Sequence, residues 1–156
     1  EAATTETTDY SIAKYGLFCY SQSMDLSEYQ KQKIEGIAAK YQLKLVLLFG
    51  SQSGSEAKSE SDFDIAYLRE APLDFESEYR LNYEFTEVFK KDRVDTVDMK
   101  KAPPLLFYAI FDHPQVLYAA DELIFPSCQV YAFKKYIETK PLYEEKFRRL
   151  EVKAGE

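Results

Sequence analysis

At 156 residues, a formal net charge of −7 and 46% apolar content, the chain can bury about 68–70% of its unfolded surface in one core and is too apolar to be disordered. The acidity weighs against a protein that grips a polynucleotide by displacing counterions with Lys and Arg, so a templated polymerase is disfavoured and no direct nucleic-acid binding is expected. No apolar run approaches the roughly 18 residues of a membrane span, and the first residues have neither a basic region nor an apolar signal core, so a cytoplasmic protein is expected.

Residues 1–22 show no clear periodicity and read as an N-terminal extension of unassigned role; residues 23–156 read as one domain. Between Met24 and Tyr41 the apolar residues Leu26, Ile34, Ile37, Ala38 and Tyr41 fall largely at helical spacing. Ser27-x-x-Gln30 has the form of a capping box, so the helix should begin near Ser27. From Leu43 to Phe49 both alternating faces are apolar, as in a central strand covered on both sides. A second strand follows at Asp64–Leu68, then a helix within 72–91 that contains Leu73, Tyr79, Phe85, Val88 and Phe89. Arg93–Met99 alternates like a short strand. Pro103-Pro104 opens a helix that closes near His113-Pro114, and Val116–Ala119 makes a last strand. From about Ser127 a helix is expected to run to an interruption around Pro141, with a second helical piece beyond it. This order, α-β-β-α-β-α-β-α, implies an α/β (α+β) fold in which a small mixed sheet packs with helices and C-terminal helices follow.

Cys19 and Cys128, the two cysteines, lack C-x-x-C spacing and indicate neither a disulfide framework nor a zinc site. His113 is the single histidine; beside Pro114 it reads as a helix-end residue, which leaves serine–histidine hydrolysis without a base. Residues 134–153 carry seven Lys/Arg against four Glu, so the remainder of the chain sums to −10. That basic helix is either a solvated face or a docking surface for an acidic partner.

The candidate chemistry lies between Leu45 and Leu68. Gly50-Ser51 ends the first strand, and glycine there lets backbone approach a phosphate while the Ser51 hydroxyl and nearby N–H groups donate to it. Lys58 is the only cation in the following loop. No Walker-type Gly-Lys-Ser/Thr completes the turn, which disfavours a P-loop ATPase. Asp62 and Asp64, two apart on a strand, leave the same face and can converge on a hard cation such as Mg2+. Asp95 and Asp98 are three apart, so alternation sends only one of them toward that cluster.

A strand ending in Gly50-Ser51, ten intervening residues, then Asp62-x-Asp64 resembles the minimal nucleotidyltransferases (MNT) of the DNA polymerase β-like superfamily. The likeness extends through RVDTVDMKKAPPLL to the basic C-terminal helix. It favours Asp95 as the third acid, implying Asp62, Asp64 and Asp95 as catalytic and Mg2+-binding residues and Gly50, Ser51 and Lys58 as nucleotide-binding residues. It further implies ATP as substrate and resembles the antitoxins paired with HEPN ribonuclease toxins, which transfer AMP to a toxin tyrosine; a hetero-oligomer with such a toxin is then expected. Two alternatives stand beside this: a small-molecule nucleotidyltransferase, for which few residues follow Asp95, and an antitoxin acting by contact alone, which Gln52 in place of a family cation would favour.

Overall fold

The apolar run after the first helix forms the central strand of a four-stranded sheet. A computed structural model of the chain describes residues 24–50, 63–91 and 93–154. Within these, the elements run α1 (Glu28–Tyr41), β1 (Leu43–Phe49), β2 (Phe63–Arg69), α2 (Phe75–Phe89), β3 (Val94–Asp98), α3 (Pro104–Ile110), β4 (Gln115–Ala119) and α4 (Ile124–Ala154). The sheet order is β3-β2-β1-β4. β1 lies antiparallel to both β2 and β4, whereas β2 and β3 are parallel and joined through α2. The sheet is therefore mixed, with β3 and β4 at its edges.

Alternation along β1 divides the core in two. Val46 and Leu48 join Phe63, Ile65 and Tyr67 of β2 on one face, beneath Ile34 and Ile37 of α1 and Leu81 and Phe85 of α2. Leu45, Leu47 and Phe49 join Ala66 on the other, against Phe107 and Ile110 of α3 and Ala132 of α4. Helices on both faces explain why β1 carries no polar alternation except Lys44.

Local chemistry sets the element boundaries. Ser27 caps α1 with a complete capping box: the Gln30 N–H donates to Ser27 Oγ (3.3 Å) and the Ser27 N–H donates to Gln30 Oε1 (3.0 Å). Gln42, at φ 55°, ends the same helix in the left-handed region. Asp74 caps α2, its Oδ1 accepting from the Ser77 N–H at 2.7 Å; these hydrogen bonds hold its carboxyl below the usual carboxylate range. Pro104 sits at the first turn of α3, where its missing N–H costs no helical bond. The segment entering α1 is tied to β4 by the Gln115 amide, which accepts from the Met24 N–H (2.9 Å) and donates to the Met24 carbonyl (2.8 Å).

One expectation fails at the C-terminus. α4 is continuous from Ile124 to Ala154 with Pro141 inside it, rather than two pieces divided there. Proline removes one backbone hydrogen bond and crowds the carbonyl of residue 137. In an exposed helix that carbonyl can turn to water, so the loss bends a helix without ending it. Aromatic contacts fix the first half of α4 on α3: Tyr108 stacks on Tyr136 at 4.2 Å and 13°, and Phe107 meets Tyr131 edge-on at 5.8 Å.

Candidate active site

The parallel pairing of β2 with β3 aligns Asp64 with Asp95. Neighbouring strands lie about 4.7–4.9 Å apart, and residues in register point to one face, so two carboxylates that are 31 positions apart in sequence stand side by side. Asp64 is partly buried and Asp95 exposed. On the other side Asp64 pairs with Phe49, the residue before Gly50.

Gly50 completes the arrangement. Its φ of 75° lies in the left-handed region, and a side-chain carbon added there would stand 2.5 Å from Asp64 Oδ2. Only glycine meets both conditions, a positive φ and a carboxylate pressed against the backbone. The residue thus leaves room for the Asp64 carboxylate as well as a turn after β1. The sequence shows that a turn follows the strand; the close approach depends on the pairing of β1 with β2 and leaves no local signal.

Asp98 faces away from this site. It aligns with Tyr67, not with Asp64, and is only 7% exposed. Its Oδ1 accepts from the Lys100 N–H (2.9 Å) and its carbonyl accepts from the Lys101 N–H (3.0 Å), which makes it the turn residue that ends β3. Burial, and next the Asp98 charge, push the Tyr67 phenol well above its usual range, so that side chain stays neutral in the core. His113 is exposed, at φ 55°, with Nδ1 2.7 Å from Asp112 Oδ1. Burial raises the Cys128 thiol, which keeps it a poor nucleophile.

Two carboxylates aligned on one face suit a hard cation that takes oxygen ligands and retains water and substrate phosphates. Among the described residues no group of three or more His, Cys, Asp or Glu is gathered for a metal. Asp62, Ser51 and Lys58 lie outside the described residues, as does Gln52. What the described part supplies is a carboxylate pair on adjoining strands beside a glycine turn.

The sequence matches the family model described as "Polymerase beta, Nucleotidyltransferase" over residues 32–123, more than half the chain and a span that contains β1, β2, β3 and the Gly50 turn. The chain belongs to this nucleotidyltransferase family. No curated protein matches the chain in a sequence comparison. Solved structures match this nucleotidyltransferase in fold. A chain of the toxin–antitoxin MntA-HepT crystal structure is 20% identical with a TM-score of 0.64, covering 80% of this chain and 98% of its own. A chain of a toxin–antitoxin crystal structure with AMP-PNP is 24% identical with a TM-score of 0.62, covering 78% and 96%. A chain from the complex of a tri-AMPylated Shewanella oneidensis HEPN toxin with an MNT antitoxin is 24% identical with a TM-score of 0.53, covering 76% and 96%. The mixed sheet and its helices are thus the architecture of this family, and no helix among the described residues is long and apolar enough to cross a membrane.

Proposed function

We propose that this nucleotidyltransferase is an antitoxin enzyme that transfers AMP from ATP to a tyrosine hydroxyl of a HEPN-type ribonuclease toxin. The observation that carries the reading is the alignment of Asp64 with Asp95 beside Gly50. The fold likeness to toxin–antitoxin chains, one solved with AMP-PNP and another with an AMPylated HEPN toxin, supports the choice of nucleotide and acceptor.

Asp64 and Asp95, with Asp62 as a third member, would hold Mg2+, which supplies neutralisation of the charge that develops on the phosphates. Asp95, exposed at the edge strand, accepts the proton of the acceptor hydroxyl. The hydroxyl oxygen bonds to the α-phosphorus, the bond from that phosphorus to the bridging oxygen breaks, and pyrophosphate departs with the electron pair. Gly50, Ser51 and Lys58 hold the triphosphate through backbone N–H groups, a hydroxyl and a cation. The product places a negatively charged phosphodiester on the toxin, opposing the binding of RNA by charge and bulk.

A contact-only antitoxin is the rival reading. It is favoured by the large apolar side chains that α4 turns to solvent, among them Val130, Phe133 and Ile137. The two separate in one experiment: purified partner incubated with Mg2+, ATP and either the wild type or Asp64→Asn. Transfer predicts an AMP adduct and relief of ribonuclease activity that both vanish with the variant; contact predicts equal inhibition by both and no adduct.

A further inference from the structure

Among the described residues β3 is an edge strand, and its hydrogen-bond parity can be read from its ends. The Phe63 N–H donates to the Arg93 carbonyl (3.1 Å) and the Met99 N–H donates to the Tyr67 carbonyl (2.9 Å). In a parallel ladder the intervening bonds to β2 therefore use Asp95 and Val97, and the N–H and C=O groups of Val94, Thr96 and Asp98 point outward. Two of these are occupied: the Val94 carbonyl accepts from Asn82 Nδ2 at 2.7 Å and the Asp98 carbonyl accepts from Lys101. The backbone N–H and C=O of Thr96 have no hydrogen-bond partner among the described residues. An edge so short is not a self-pairing hazard, yet among the described residues it keeps one unpaired donor–acceptor pair immediately beside Asp95.

α2 builds a wall along this edge. Asn82 reaches β3 from α2, and two turns before it begins an aromatic row: Phe75, Tyr79 and Tyr83, each four residues apart, are 84%, 70% and 56% exposed. Residues three, four and seven apart share a helix face, so Tyr79 and Phe75 continue the Asn82 side of α2, while Tyr83, next to Asn82 in sequence, turns further toward solvent. Phe75 and Tyr79, turned to solvent on the side of α2 that meets the β3 edge, form an apolar flank with a polar floor.

We propose that this groove receives the acceptor polypeptide as an added strand along β3. This rests on the reading of the enzyme as a protein adenylyltransferase and specifies how the acceptor is presented. A free donor–acceptor pair spaced for backbone fits an extended chain and offers little to a free small molecule. The decisive feature is position: in a strand added antiparallel, the residue opposite Asp95 is a non-hydrogen-bonded partner, the pairing that brings side chains closest. Its side chain leaves the sheet on the Asp64–Asp95 face. The residue facing Thr96 bonds through both of its outward groups and the one facing Val94 through the Val94 N–H, since Asn82 takes the Val94 carbonyl, while Phe75 and Tyr79 pack against the apolar side chains of the added strand. A hydroxyl carried by the acceptor segment is thereby delivered to the carboxylate that accepts its proton.

The test uses the HEPN-type toxin employed for AMP transfer above. In amide hydrogen exchange on the full chain, adding the toxin should slow the Thr96 N–H, which has no partner among the described residues, and leave the already paired Asp95 and Val97 amides little changed. Thr96→Pro, which deletes that donor at an edge position where proline is tolerated, should raise KM for the toxin about tenfold with KM for ATP unchanged; Thr96→Val, which keeps the N–H, should not. Phe75→Ser with Tyr79→Ser, both exposed and outside the core, should shift the same constant without unfolding the protein. An unchanged Thr96 exchange rate with toxin bound, or an unchanged toxin KM in the Phe75/Tyr79 variant, overturns the proposal even where AMP transfer proceeds. If toxin binds and slows Thr96 exchange but no AMP is transferred, the adenylyltransferase reading fails instead.

Discussion

Asp95 and Asp98 differ in the task that strand parity gives them. Asp95→Asn removes a carboxylate aligned with Asp64 and should lower AMP transfer at least a hundredfold, since stabilisation of developing charge by such groups amounts to several kcal/mol. Asp98→Asn keeps an oxygen that can accept from the Lys100 N–H and should retain most transfer, with a rate assay of both variants as the check. Gly50→Ala should abolish transfer, because the new methyl collides with Asp64 Oδ2 and a left-handed φ costs a non-glycine residue about 1–2 kcal/mol. A Tm close to wild type with activity lost would mark the damage as local. That Asp95 and Asp98 leave opposite faces is legible from a spacing of three, and the family resemblance picks Asp95; the reason for glycine at 50 is not legible, since it lies in Asp64, fourteen residues on in the next strand.

At the level of elements, the Ser27 capping box is the feature most readable in the sequence, whereas the Asp74 cap of α2 comes from the structure alone. Ser27→Ala should cost about 1 kcal/mol, measurable by denaturant titration, because it removes the hydroxyl oxygen that accepts from the Gln30 N–H and leaves only the backbone N–H of residue 27 donating to Gln30 Oε1. Asp74 gives a pH signature. Its folded carboxyl is held below the ordinary value of 3.8 by the Ser77 hydrogen bonds, so its contribution is present above that value and is lost as pH falls through the lowered one. Asp74→Asn, which still caps, should therefore show a shallower loss of stability below about pH 4 than the wild type. Pro141 was misread because sequence shows the lost hydrogen bond but not the solvent that takes it up. Pro141→Ala should raise helicity and Tm, given that proline in a helix interior is disfavoured by about 3 kcal/mol relative to alanine.

For the whole molecule, the two-sided apolar β1 made the layered fold legible: a strand without polar alternation must be covered twice, by α1 and α2 on one face and α3 and α4 on the other. Phe85 is fully buried on the first face, and Phe85→Ala should destabilise by about 3–5 kcal/mol, a large part of a typical domain's 5–15 kcal/mol; thermal unfolding measures this. The edge position of β3 was not legible, because strand order is set by long-range pairing that short apolar segments do not encode individually. Yet that order carries the site, bringing residues of β1, β2 and β3 to one place. The most direct measurement is the intact mass of the partner toxin after incubation with this protein, Mg2+ and ATP. The account predicts the mass of an AMP group added on a tyrosine by the wild type and no addition by Asp64→Asn. A toxin left unmodified by the wild type yet inhibited equally by both proteins would contradict it.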